Sequence, residues 1–469
     1  MSHKYKSINK IGITTIIGTI GVELVNFCLI PIMTRELGTS GYGTISIYTV
    51  WCSVIIAICG LQTTQSVVYI VAEKDPKLHK EYFASMLACS LVCFLITGLC
   101  FSIINTVFDR ILGFSTFLVI ALFLHSFGNY SVNFANTIFI QKQQPIKQVL
   151  LSVSIALSTA LLSIWMVHAI ETEESKYIGR ILGYTIPYVI IGTVISGCCI
   201  IPYLKKIKLI YIKELLPLCL PIIVHSLAGH VFTQSDRVML GYISDSSAAG
   251  IYSFAYSIAS LLSVVWITVN SFYQPFFFSY MKNQDIEQVD KKTKNFIELY
   301  TCGYAVFLFL IPELMTVYGG ENFQGALWYL PIITLGIYFN FLYVFNSNYE
   351  IFYKKTKNIA KATTITAIIN IVLNALLIPK YSIMGAAIAT LLSSIVLFLI
   401  HLYYARKISK ELNVQYVFKI NTFIIGSAIA VLITICFYLL QPYLAIRIVL
   451  GILIIIFSLW RIVIRKSII

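Results

Sequence analysis

Long apolar runs separated by short polar connections fill this chain from one end to the other. A membrane-spanning helix needs about 20 consecutive, mostly apolar residues, and fourteen runs reach that length. The pattern therefore predicts an all-α polytopic membrane protein with about 14 transmembrane helices. The predicted spans cover residues 10–33, 42–70, 83–107, 112–140, 145–170, 177–203, 214–240, 247–275, 292–317, 325–352, 359–379, 383–405, 418–440 and 443–464.

The connections leave no room for a soluble catalytic domain, because the longest polar stretch covers only about residues 276–295. Hydrophobic residues make up 58% of the chain and charged residues 12%, whereas a soluble domain carries about 25% charged residues. The sequence contains no P-loop, no His-Glu-x-x-His and no Gly-x-Ser-x-Gly motif, so ATP hydrolysis and the corresponding hydrolase chemistries are not expected. We therefore expect a transporter without catalytic residues, metal ligands or a cofactor.

The net charge of +14 follows membrane topology and does not indicate a nucleic-acid partner. When alternate connections are assigned to opposite sides of the membrane, 27 of the 34 lysines and arginines fall on one side. Cytoplasmic loops carry such an excess of basic residues. This bias predicts that both termini are cytoplasmic, which requires an even number of spans, and that the basic side attracts anionic membrane lipid.

The sequence at the end of the first span recurs in the second half of the chain. Arg35 and Arg237 both lie shortly before Leu-Gly, a short turn, and a Gly and Tyr that open the next span. These arginines are 202 positions apart, and Gly179 and Gly385 are 206 apart. Such offsets predict two six-helix lobes of the same orientation. We expect an N-terminal lobe at 1–205, a C-terminal lobe at 206–410 and two extra helices at 411–469.

Polar residues recur at helical spacing within several predicted spans. Polar groups are costly against lipid, so these side chains should face protein or a water-filled cavity. Two interpretations stay open, because such side chains can line a substrate cavity or form hydrogen bonds between helices. The candidate cavity residues are Asn26, Gln62, Gln65, Asn129, Asn133, His230 and Gln234.

Glu23 is a candidate ion-coupling residue. It follows Lys10 by 13 residues, which is about 20 Å along a helix. A short glutamate side chain cannot reach the membrane surface from that depth. It is either a carboxylate that binds a proton or another cation, or a buried, hydrogen-bonded residue.

Arg35, Arg180 and Arg237 lie near the outer ends of spans 1, 6 and 7, on the side that is otherwise poor in basic residues. Topology does not explain them. The planar guanidinium donates two parallel hydrogen bonds to phosphate, so the three arginines are candidates for an anionic substrate. The alternative is that they extend to the membrane interface.

Several stretches resemble the Wzx-type polysaccharide flippases, which move O-antigen or capsule repeat units and belong to the multidrug/oligosaccharidyl-lipid/polysaccharide exporter superfamily. The resemblance covers most of residues 10–406, and its individual motifs are short. The matching stretches are PIMTRELGTSGYG at 31–43, YIGRILG at 177–183, SDRVMLGYISDSSAAGIYSFAY at 235–256, PELMTVYGGENFQGALWYLP at 312–331, and 354–393 with KKT and NIVLNALLIPKYSIMGAAIAT.

This resemblance implies two lobes around a central cavity in a bacterial cytoplasmic membrane. It implies that an undecaprenyl-diphosphate-linked oligosaccharide is moved from the cytoplasmic to the outer leaflet by alternating access, driven by an H⁺ or Na⁺ gradient or by the substrate gradient. The three arginines would attract the diphosphate, and polysaccharide polymerase and chain-length machinery would be partners. Ser382 stands where many members have glycine. In the related lipid II flippases, the two extra helices are associated with the lipid tail.

Two other functions compete with this interpretation. A cation-coupled multidrug antiporter of the same fold would favour acidic residues in its cavity, whereas here Glu23 is the one deep carboxylate expected and the arginines are several. A non-transporting scaffold for sugar-polymerising enzymes would carry expanded cytoplasmic loops, and the connections here are short.

Overall fold

The computed structural model describes residues 2–107 and 112–465, although the side chains of residues 2–17, 19, 20, 272 and 462–465 lie outside that description. Within these ranges the chain forms α-helices and short 3₁₀ turns, without strands. The helices are α1 Ser2–Cys59, α2 Ser66–Glu73, α3 His79–Val107, α4 Thr116–Gln141, α5 Pro145–Ala169, α6 Lys176–Ile200, α7 Leu209–Ile243, α8 Ser246–Ala259, α9 Leu261–Lys282, α10 Ile286–Gly319, α11 Leu330–Phe352, α12 Thr356–Glu411, α13 Ile420–Leu440 and α14 Leu444–Arg465.

Twelve helical segments among the described residues are long and apolar enough to cross a membrane. Two of them are interrupted by a residue with non-helical backbone angles, Gly38 in α1 and Ser382 in α12. These helices contain 58 and 56 residues, and an unbroken helix of that length would be nearly three times as long as the ~30 Å hydrocarbon core is thick. Each interruption falls between two predicted spans. The predicted count of 14 and the polytopic α-helical fold are therefore confirmed.

The chain divides into two compact units, Met1–His230 and Val231–Ile469. The division falls inside α7, so this helix contributes to both units. The lobe boundaries expected from the sequence, at 205/206 and 410/411, stay a prediction. The extra helices α13 and α14 pack against α10 within the second unit.

Glycines allow close helix packing in the first unit. A Cβ atom on Gly192 of α6 would lie 2.5 Å from the Cα atom of Gly128 on α4, and one on Gly183 would lie 2.4 Å from the Cα atom of Ser163 on α5. Small residues let helix backbones approach closely in membranes, where association depends on van der Waals packing. These positions therefore fix α6 against both neighbours.

The internal repeat is visible as a matching pair of buried hydrogen bonds. In the first unit the Tyr48 hydroxyl lies 3.2 Å from Thr185 Oγ1, and in the second the Tyr252 hydroxyl lies 3.1 Å from Thr390 Oγ1. The tyrosines are 204 positions apart and the threonines 205. Each bond ties the second span of its lobe to the sixth. This arrangement supports the two six-helix lobes expected from sequence.

Ion pairs at both ends fix α14 to α10. Arg447, near the start of α14, forms two parallel bonds with Glu313 at 2.9 and 2.7 Å. Arg461, near the end of α14, pairs with Glu298, which lies earlier in α10. The order of these contacts shows that the two helices run antiparallel. In the second unit α13 is held by a 2.6 Å bond between the Thr434 and Tyr304 hydroxyls.

Candidate functional site

Arg180 is the most deeply buried of the three candidate arginines, with only 6% of its surface exposed. It lies on α6 one turn before Tyr184, and its guanidinium carbon is 3.7 Å from the centre of the Tyr184 ring. Its Nη1 atom has no hydrogen-bond partner among the described residues, and no described acidic side chain forms an ion pair with it. Burying an unpaired charge is costly, and the ring face compensates for only part of that cost.

The Tyr184 ring that faces Arg180 belongs to a group of stacked and tilted aromatic rings in the first unit. The imidazole ring of His125 on α4 stacks on Tyr184 at 5.9 Å and contacts Tyr48 of α1 at 5.8 Å and Tyr188 of α6 at 5.1 Å. His125 Nδ1 also has no hydrogen-bond partner within the described structure. We call Arg180, Tyr184, His125, Tyr48 and Tyr188 the arginine–aromatic cluster. It combines a guanidinium able to bind an anion with aromatic faces that pack against apolar surface while offering polar edges.

Arg237 lies in the second unit, on α7, and is half-buried. Its guanidinium carbon is 4.7 Å from the centre of the Tyr256 ring, and its buried Nε atom has no hydrogen-bond partner in the described part of the chain. Arg180 and Arg237 therefore share one arrangement, in which the guanidinium lies over a tyrosine ring. The tyrosine is four residues later in the same helix for Arg180 and on the next helix, α8, for Arg237. The two arginines belong to different units.

Asp236 precedes Arg237 and is fully buried. Its carboxylate accepts hydrogen bonds from the Tyr252 hydroxyl and from the backbone N–H of Arg237 at 3.0 Å. The Thr390 hydroxyl lies 3.1 Å from both Asp236 Oδ2 and the Tyr252 oxygen and donates its single proton to one of them. The carboxylate on α7 thereby contacts both α8 and α12.

Arg35 differs from the other two arginines because its side chain is exposed. The adjacent Glu36 accepts a 2.9 Å bond from Lys176 and lies 3.6 Å from His168 Nε2. The structure therefore buries Arg180, half-buries Arg237 and leaves Arg35 exposed. That all three bind a diphosphate stays a prediction.

The predicted polar lining is partly engaged in local contacts. Asn133 is exposed and donates a 2.9 Å bond to Asn129 one turn earlier in α4, so this pair does not join two helices. Gln62 is half-buried with a positive φ of 50° in the turn after α1, and Gln65 is exposed. His230 and Gln234 are half-buried on α7.

Glu23 and Asn26 are both exposed on α1, three residues apart. The alternative of a buried, hydrogen-bonded Glu23 therefore does not describe this structure. Because a carboxylate is costly against lipid, exposure at this depth is consistent with a water-filled space. The ion-coupling role of Glu23 stays a prediction.

Sequence reasoning missed two pairs of charged residues in the second unit. Glu350 on α11 and His401 on α12 lie 2.6 Å apart and are fully buried. Arg447 and Glu313 form the second pair. All four are single ionisable residues inside apolar runs, and such residues are usually paired with one another in the protein interior. That rule could have indicated that each has a partner, but not which one.

Several known proteins are similar to this chain in sequence or in structure. An uncharacterised membrane protein of Haemophilus influenzae is 22% identical over 79% of this chain and 92% of its own length. A protein of Haloferax volcanii named as a probable low-salt glycan biosynthesis flippase is 24% identical over 39% of each chain. The solved structure of the lipid II flippase MurJ in an inward closed conformation matches with a TM-score of 0.71 at 17% identity, covering 96% of this chain and all of that one.

The structural match shows the fold, and a family model decides the family. The model described as polysaccharide biosynthesis protein matches residues 9–281, which include nearly all of the first unit with its arginine–aromatic cluster as well as Arg237. This match covers more than half of the chain. The chain is a multi-pass membrane protein that belongs to the polysaccharide biosynthesis protein family.

Proposed function

We propose that this protein is a flippase that moves undecaprenyl-diphosphate-linked oligosaccharide repeat units from the cytoplasmic to the outer leaflet by alternating access. The polymer made from these units would be a surface polysaccharide such as a capsule or the O-antigen of lipopolysaccharide. The observation that carries the proposal is the buried, acid-free guanidinium of Arg180 beside aromatic rings.

The chemistry of the substrate matches this cluster in two respects. A diphosphate offers several anionic oxygens, and the Nη1 atom of Arg180 is a donor without a described partner. Arginine binds phosphate through two parallel bonds, and such charge-assisted bonds are about twice as strong as neutral ones. The sugars attached to the diphosphate have apolar faces and hydroxyl edges, which suit the rings of Tyr184 and Tyr188.

The family and the relatives point in the same direction. The family model concerns polysaccharide biosynthesis, and the Haloferax relative is named as a probable glycan biosynthesis flippase. The membrane would be the bacterial cytoplasmic membrane, with both termini in the cytoplasm. Polysaccharide polymerase and chain-length machinery would receive the flipped units.

Charge argues against the multidrug antiporter. A cavity for cationic drugs favours several accessible carboxylates, whereas the buried Asp236 already accepts hydrogen bonds from Tyr252 and from the backbone and Glu350 is paired with His401. Glu23 is exposed and is the proposed site for a coupling H⁺ or Na⁺. The buried arginine favours an anionic substrate over a cationic one.

The proposal is tested with purified protein in nanodiscs and a fluorescent undecaprenyl-diphosphate-linked oligosaccharide. Because a hydrogen bond to a charged group contributes about 1.5–3 kcal/mol, Arg180→Gln should weaken binding by roughly 10- to 100-fold. Arg180→Lys should bind between the wild type and Arg180→Gln, because lysine keeps the charge but loses the planar fork.

The control is Lys407→Gln, which removes an exposed positive charge paired only within α12 and should bind as the wild type does. The same preparations are reconstituted in liposomes to measure flipping, and a cationic drug is added as a competitor. Wild-type affinity in Arg180→Gln, or competition by the drug, would contradict the proposal.

A further inference from the structure

Glu350 and His401 form a buried acid–histidine pair that the proposed substrate site does not use. Glu350 lies two residues before the end of α11 and His401 lies in the second half of α12, and these helices pack against each other. Glu350 Oε1 is 2.6 Å from His401 Nδ1, with the two side chains 0% and 1% exposed. The ring of Tyr343 stacks on the imidazole at 5.0 Å and an angle of 19°, which fixes the orientation of the histidine.

The proton content of this pair is set by burial. Glu350 Oε2 and His401 Nε2 have no hydrogen-bond partner among the described residues, so a net charge on the pair would be left uncompensated. A pair without a shared proton is a bare carboxylate beside a neutral imidazole, and a pair with two protons carries a positive charge. Net charge in the interior costs several kcal/mol or more. The packed pair is therefore expected to hold one proton and to be neutral overall.

Several ionisable groups on the surrounding elements are engaged with other residues, whereas the hydroxyl of Tyr349, next to Glu350, is buried without a hydrogen-bond partner among the described residues. The α13 helix, which packs on α11, carries no aspartate, glutamate, lysine, arginine or histidine between 420 and 440. On the other elements, ionisable side chains form ion pairs, hydrogen bonds or ring contacts away from Glu350 and His401: Lys355 and Lys407 with Glu411, Arg406 over the Tyr416 ring, Lys419 with Asp290 of α10, Tyr273 of α9 with Thr293, and Tyr252 of α8 with Asp236.

We propose that Glu350 and His401 form a proton-binding site that holds one proton while the ends of α11 and α12 are packed and releases it to solvent when they separate. The direction follows from proton counting. In water, glutamate and histidine side chains lose their protons near pH ~4.3 and ~6.5. Above about pH 6.5 the separated state holds no proton and the packed state holds one, so separation becomes about tenfold more favourable with each pH unit.

Below about pH 6.5 the separated histidine keeps its proton, so both states hold one proton and separation does not depend on pH down to about pH 4.3. This two-part profile distinguishes the site from a structural ion pair that never opens. It does not depend on what the protein carries, because it concerns the protein alone. A proton gradient would therefore favour or oppose the separation of α11 and α12 through Glu350 and His401, independently of Glu23.

Hydrogen–deuterium exchange of the full chain in nanodiscs measures the separation. Peptides covering 343–353 and 398–407 report the opening of the two helix ends, after correction for the pH dependence of intrinsic exchange. The wild-type opening constant should be unchanged between pH ~5 and ~6 and should rise about tenfold between pH ~7 and ~8.

Two variants move this profile in different ways. Glu350→Gln removes the carboxylate with little change of shape, so the rise between pH ~7 and ~8 should disappear. His401→Gln leaves a buried glutamate that must be protonated when packed, so the tenfold rise should begin already between pH ~5 and ~6. Glu36→Gln is the matched control, since Glu36 lies near His168 at 3.6 Å but is partly exposed, and it should keep the wild-type profile.

A flat wild-type profile above pH ~7 would overturn the proposal, and so would a tenfold rise that persists in Glu350→Gln. The wild-type measurement decides the matter by itself if a variant does not fold. Failure of the Arg180 binding test would leave this result unaffected, so the two proposals can fail separately.

Discussion

The pair of Arg447 and Glu313 yields a prediction about which partner matters more for stability. Arg447 is 4% exposed, whereas the Glu313 side chain is 40% exposed. Arg447 also donates from Nη1 to the carbonyl of Phe309 at 2.5 Å and from Nε to the carbonyl of Gln441 at 3.1 Å. The Arg447 guanidinium is therefore enclosed by hydrogen-bond acceptors, while the Glu313 side chain stays partly exposed.

This difference in exposure determines how much stability each single variant should lose. Glu313→Leu leaves a guanidinium buried without its counter-charge, and breaking a buried pair in that way costs about 3–5 kcal/mol. Arg447→Met leaves a carboxylate that can be hydrated and replaces a long side chain by one of similar volume, so a loss of about 2 kcal/mol is expected. Because the two residues interact directly, the double variant should lose less than the sum of the single variants.

The assay is chemical unfolding of the purified protein in micelles, followed by circular dichroism, with the free energy of unfolding compared among the four proteins. Limited proteolysis in the segment 412–419, before α13, reports whether the last two helices detach first. Equal losses in the two single variants, or a larger loss in Arg447→Met, would refute the reasoning from burial.

Two further predictions concern the first and the twelfth span. Ser382 has a φ of 46° inside α12, a conformation that costs a non-glycine residue about 1–3 kcal/mol. Ser382→Gly should therefore relieve roughly 1 kcal/mol of strain, net of the added chain entropy, and raise the thermal unfolding midpoint. An unchanged or lowered midpoint would contradict the strain at this residue. Glu23→Gln should remove the pH dependence of flipping in proteoliposomes if Glu23 binds the coupling proton, whereas an unchanged dependence in this variant would exclude that role.

The helices of this fold were predictable because lipid and helix geometry leave few choices to an apolar chain. Even the interruptions at Gly38 and Ser382 fall between predicted spans, where the chain must turn back. The repeat was visible in Gly179 and Gly385, and both positions prove to be close backbone contacts: Gly179 lies against Met166 of α5, and Gly385 lies against Leu377, which precedes the interruption at Ser382 within α12. Local pattern and global fold agree here, so sequence alone was sufficient.

Side-chain partners were not predictable in the same way. Glu350 and His401 are 51 positions apart, and Arg447 and Glu313 are 134 apart, and hydrophobic periodicity contains no information about which helices become neighbours. For the same reason the sequence could not distinguish Arg180, which is buried, from Arg35, which is exposed. Depth along a helix can be counted from sequence, but the direction a residue faces depends on packing.

The matched Tyr48–Thr185 and Tyr252–Thr390 bonds have an evolutionary consequence. They are the expected remnant of a duplicated six-helix ancestor, in which both copies kept one framework bond. Around that bond the copies have diverged: at the offsets of the repeat, Ala386 stands where the first copy has Arg180, and Thr34 stands where the second copy has Asp236. If the two halves arose by duplication, one copy could acquire a buried cation and the other a buried acid independently, which two identical halves could not do.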